Sequence, residues 1–110
     1  MMGDARMQLD PETFVIQAAQ SAARSSGASL SESAIEAMIS RIRPRLAPVR
    51  ERLLEPRAQA LVQDNTNQFV RFVVNNVMPE PGEIQREHIE AAFFKFKFCD
   101  HFPDLFPFCP

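Results

Sequence analysis

The sequence contains neither tryptophan nor tyrosine, and all ten of its aromatic residues are phenylalanine. Anchors that join an apolar ring to a polar tip are therefore excluded, and any aromatic contact with a partner must be apolar. Three glycines in 110 residues leave no glycine-rich loop to cradle a phosphate. There is no run of 18 or more apolar residues, so no membrane span and no membrane partner are expected. The start Met1-Met2-Gly3-Asp4-Ala5-Arg6 lacks the charged-then-apolar order of a secretory signal, which makes a cytoplasmic location the expectation. In a reducing cytosol the two cysteines, Cys99 and Cys109, are thiols or metal ligands by default, and a disulfide is the minority case. No Ser-His-Asp or Cys-His constellation can be argued from spacing, because nucleophile and base are paired by the fold and not by chain order. A non-enzymatic protein is expected.

What is present fits one small domain. A chain of 110 residues is long enough for a modest core and too short for a catalytic cleft between two domains. Apolar residues make up 45% and charged residues 24%, the balance of a globular chain. The net charge of −2 hides a segregation: residues 1–40 and 58–110 each carry −3, and residues 41–57 carry +4. No internal repeat is visible at this level.

Helical signals dominate the chain. Asp10-Pro11 reads as an N-cap followed by proline at the first helical position, and Phe14, Ala18 and Ala22 recur at four-residue spacing until Gly27 offers a C-cap, giving a helix over 11–25. Ser31 caps a second helix, with Leu30 and Ile35 placed to form a hydrophobic staple. Its stripe of Ile35, Met38, Ile39 and Ile42 predicts helix to about 43, and a proline-punctuated helical stretch continues through Pro44 and Pro48 to about 55. Glu55-Pro56 then restarts a long central helix over 56–78, apolar on two faces, with Asn65 and Asn76 near the apolar stripe and in need of hydrogen-bond partners. Met78-Pro79-Glu80-Pro81-Gly82 breaks it, and a last helix containing Ile84, His88, Ile89, Ala92, Phe93 and Phe96 ends near 97. His88, on an apolar-leaning face, reads as a hydrogen-bonded boundary residue. The expected fold is all-α: a four- to five-helix domain over residues 1–97, with a Cys/Phe/Pro-rich tail over 98–110.

Two segments carry the candidate sites. The tail combines Phe98, Phe102, Phe106 and Phe108 with Cys99, His101, Cys109, two carboxylates and three prolines. It can be an apolar strap over the helices, or a free segment that docks into a partner's groove. Cys99, His101 and Cys109 also offer three ligands to zinc or copper, although C-x-H-x7-C matches no common zinc module. A Cys99–Cys109 disulfide would close an 11-residue loop, contributing about 3 kcal/mol. A helical leader followed by a Cys-containing end also loosely resembles ribosomally made precursor peptides. The second segment is the arginine stretch of Arg41, Arg43 and Arg45, suited to phosphates or to an acidic protein partner. Its modest footprint in an acidic protein argues against nucleic acid.

The order of a short helix, a long central helix and a last helix reading Ile84-Gln85-Arg86-Glu87-His88-Ile89-Glu90-Ala91-Ala92 resembles the histone-fold arrangement, and equally the helical lid domains of AAA-type ATPases. The phrase is generic and the dense basic charge of histones is lacking, so it identifies no family. The resemblance implies pairing with another helical chain. Taken together, the residues point to an accessory or adaptor protein binding another protein, or a second copy of itself, through apolar helix faces and the Phe-rich tail. The partner-binding candidates are Phe98, Phe102, Phe106, Phe108, Arg41, Arg43 and Arg45.

Overall fold

The first helix, α1 (Pro11–Ser25), starts where its cap demands: the Asp10 carboxylate accepts from the Thr13 N–H at 3.3 Å and from the Thr13 hydroxyl at 2.9 Å. A computed structural model describes residues 10–80, 82–95 and 107–108 of the chain. The buried face of α1 is Val15 with Ala18, Ala19, Ala22 and Ala23, a low-profile stripe that lets a neighbouring helix approach closely. At its end the Ala28 N–H donates to the Ala23 carbonyl at 2.8 Å and the Gly27 N–H to the Arg24 carbonyl at 3.1 Å, the paired bonds of a Schellman motif. Gly27 takes a φ of 77° there, a left-handed conformation in which a side chain is strained.

The chain then forms a two-residue strand, β1 (Ser29–Leu30), and enters α2 (Glu32–Ile42), with the Ser31 hydroxyl accepting from the Ala34 N–H at 3.0 Å. Leu30 and Ile35 both pack on the core, as the staple requires. The prolines do not break the path at random. Pro44 lies in the first turn of a 3-10 segment, Arg43–Arg45, and Pro48 in the first turn of α3 (Leu46–Arg52), where a missing N–H is not needed. Leu46, Val49 and Leu53 are buried along this stretch.

Pro56 opens α4 (Pro56–Phe72), whose last turn continues as a π-helix over Val73–Val77, with the Met78 N–H reaching back to the Val73 carbonyl at 3.0 Å. Along α4 and its π continuation Ala58, Val62, Thr66, Phe69, Val70 and Val73 are buried, and Leu61, Phe72, Val74 and Val77 are half-buried against the core. The buried Thr66 hydroxyl donates to the Val62 carbonyl at 2.8 Å, which satisfies it inside the helix. Of the two asparagines expected to need partners, Asn65 is buried and bonded, whereas Asn76 is exposed and meets solvent. β2 (Glu83–Ile84) and α5 (Arg86–Lys95) follow. The Gln85 N–H donates to His88 Nδ1 at 2.9 Å, so His88 acts from the third helical position on the residue that caps α5.

The described residues are mostly helical, and the all-α class holds with one small addition. β1 and β2 pair in parallel, Ser29 opposite Glu83 and Leu30 opposite Ile84. Helix α1 packs along α4, and α2 crosses α5. The unit helix-strand-helix therefore occurs twice, and the strand register sets an offset of 54 residues (29 to 83, 30 to 84). At that offset Ile35-Glu36-Ala37 falls on Ile89-Glu90-Ala91, and buried Met38 falls on buried Ala92. What recurs is the order helix-strand-helix; a three-residue match is too short to make a sequence repeat.

Candidate partner-binding site around Phe93

Phe93 sits on α5 where that helix crosses α2, and it is half-buried. On the solvent side, Ala37, Ser40 and Arg41 of α2 and Arg86, Glu90 and Phe93 of α5 line an open cleft of about 210 Å³. The Arg41 guanidinium carbon lies 5.0 Å from the centre of the Phe93 ring, within cation–π range. Arg86 Nε donates to Glu90 at 3.2 Å, which holds the second arginine along the cleft wall. Two guanidinium groups against one carboxylate leave the cleft with a positive balance. One turn beyond Glu90, Phe94 is 75% exposed; with Leu54 (59%) it makes the pair of large exposed apolar side chains among the described residues.

On the inner side, Phe93 belongs to a cluster that holds three rings among the described residues. Its centre is 4.8 Å from Phe69 of α4, with planes tilted by 38°, and 6.1 Å from Phe108, with planes at 17°. Phe69 and Phe108 stack at 4.5 Å and 21°. Distances of this order are those of attractive aromatic pairs. The backbone of the same segment is held as well: the Phe108 N–H donates to Asn65 Oδ1 at 3.1 Å, and Asn65 is fully buried. A buried amide in mid-helix is costly unless bonded, so this contact explains why an asparagine occupies the apolar face of α4.

The sequence-predicted residues separate into three groups. Arg41 lines the cleft. Arg43 instead ties the 3-10 segment to α1, donating to the Glu12 carboxylate through Nε at 2.8 Å and through a second nitrogen at 3.3 Å; that hydrogen bond, and the charge of Glu12, raise the pKa of its guanidinium. Arg45 is half-buried in the same turn and is not among the residues lining the cleft. Phe108, expected among the partner-binding residues, is 2% exposed and spent on the chain's own core, because Phe69, Phe93 and Asn65 together offer its ring and its N–H a fully matched seat. Phe98, Phe102 and Phe106, and the metal-ligand candidates Cys99, His101 and Cys109, lie outside the described residues. Among the described residues no three His, Cys, Asp or Glu side chains come together to hold a metal ion. None of the described helices is long and apolar enough to cross a membrane.

Sequence reasoning missed Arg86, Glu90, Phe93 and the Asn65–Phe108 contact as parts of one site. A signal for the last was visible, since Asn65 interrupts an apolar stripe; nothing local says that its partner is 43 residues away. No family model, curated protein or solved structure matches this chain.

Proposed function

We propose that the protein is a non-enzymatic adaptor that docks a partner protein on the α2–α5 cleft and the adjoining Phe94. The single observation that carries this reading is the 75% exposure of Phe94 beside an arginine-bordered cleft, in a chain whose other described large apolar side chains, Leu54 apart, are buried or half-buried. An exposed phenylalanine costs free energy in water and recovers it in a partner's pocket. Arg41 and Arg86 favour a partner segment with a carboxylate next to an apolar side chain. The apolar residues of α4 and its π continuation are buried or half-buried against the chain's own core, so they offer a partner less exposed apolar surface than Phe94 does. Metal binding by Cys99, His101 and Cys109, and modification of the C-terminal segment, have no observation among the described residues that favours them.

The experiment is co-purification from the protein's own host with the wild-type chain, Phe94→Ser and Arg41→Glu. The expected outcome is a chain that co-purifies with wild type and is lost, or at least ten-fold depleted, in both variants, whose circular dichroism is unchanged. Retention by both variants would assign the docking surface elsewhere.

A further inference from the structure

Ser40 stands apart from the other serines of α2. Ser31 and Ser33 share a hydrogen bond at 3.2 Å, and Ser31 caps the helix through the Ala34 N–H. The Ser40 hydroxyl is exposed and, among the described residues, has no hydrogen-bond partner. It lines the α2–α5 cleft, with Arg41 beside it in the chain and Arg86 on the facing helix. Both guanidinium groups are held in place, Arg41 over the Phe93 ring at 5.0 Å and Arg86 by Glu90 at 3.2 Å. Two cations and one carboxylate leave the cleft with one positive charge in excess. Its open volume of about 210 Å³ has room for a tetrahedral anion on the serine oxygen.

We propose that Ser40 is a phosphorylation site whose phosphate closes the cleft to an acidic partner segment. A protein kinase transfers the terminal phosphoryl group of a nucleoside triphosphate to Ser40 Oγ. The bond from Oγ to phosphorus forms, the bond to the leaving nucleoside diphosphate breaks, and the hydroxyl proton passes to the kinase's base. The product brings about −1.5 to −2 charges and three acceptor oxygens near neutral pH, which reverses the sign of the cleft. Its oxygens take up the guanidinium donors that a partner's carboxylate would use. Helix α2 ends two residues after Ser40, and its C-terminal end opposes an anion. That end carries roughly half a unit of negative charge, which the two guanidinium charges outweigh. The effect on docking rests on the adaptor reading; the modification and its pairing with Arg41 and Arg86 do not.

Two measurements need no partner. Phosphopeptide mapping of the chain from its own host is expected to find phosphate on Ser40. The full-length protein with phosphoserine in place of Ser40 is then titrated by phosphorus NMR. Two cations favour the dianion, so the second pKa is expected about 0.5 or more below the ordinary value of about 6, and Arg41→Gln/Arg86→Gln should restore it. No phosphate on Ser40 in protein from growing and from starved cells, or a titration that the folded double variant leaves unchanged, would overturn the proposal. Should the double variant not fold, Arg86→Gln alone, which alters an exposed side chain, decides by the same criterion. In co-purification the phosphoserine form is expected to retain at least ten-fold less of the chain that wild type holds, and equal retention would overturn the switch. A wild-type protein that holds no chain counts against the adaptor reading and leaves the mapping and the titration as the test of Ser40.

Discussion

Asn65 and Phe108 show how a single polar side chain can organise a core. Truncating Phe108 to alanine empties a slot walled by two rings, and such changes cost about 3 to 5 kcal/mol. Asn65→Ala leaves the Phe108 N–H buried without its acceptor, at about 1 to 3 kcal/mol. The two losses concern one contact, so chemical denaturation of the double variant should show less than their sum; strict additivity would mean that the residues do not act together. Arg43 makes a different prediction. Its guanidinium pKa is raised by Glu12, so whatever the pair contributes is present below the ordinary arginine range and is lost only as pH rises through the higher folded value. The difference in melting temperature between wild type and Arg43→Gln should therefore show no slope attributable to Arg43 titration from neutral pH up to the alkaline limit of the measurement.

Elements in this chain begin and end where local chemistry puts them. Asp10 and Ser31 cap α1 and α2 through the bonds their positions predict, and Ser31→Ala should cost about 1 kcal/mol in thermal unfolding. Gly27→Ala places a side chain at a φ of 77° and should cost about 1 to 2 kcal/mol, although open space surrounds it. These features were legible in the sequence because each depends on residues at most five apart. So was the restart at Pro56, since proline is at ease in a first turn. The π-turn at Val73–Val77 was not legible: by pattern it is the end of an ordinary helix, and its wider bonding appears only once Val73 is buried and Met78 turns away. The β1–β2 pairing was not legible either, because two-residue strands carry no periodicity and the partners lie 54 residues apart (29 to 83).

At the scale of the whole molecule, two helix-strand-helix units close on each other through parallel strands and crossed helices, and the third contact is the Phe108 seat. The arrangement brings one cation of the arginine stretch, Arg41, to a cleft it shares with α5, and sends Arg43 to α1. Arg41 and Arg43, two residues apart, point to different sides of the helix end, but which neighbour each meets depends on how α1 and α5 pack there, which the run itself does not carry. The candidate site was legible only as residue types: arginines and phenylalanines were singled out, and the fold chose Arg41 with Phe93 and Phe94 from among them.

Native mass spectrometry of the protein from its own host, in wild-type form and as Phe94→Ser, tests the central claim most directly. The account predicts a wild-type species carrying another protein chain and a Phe94→Ser species that has lost it while remaining folded. A wild-type chain that flies alone, or a partner held equally by both forms, would contradict it.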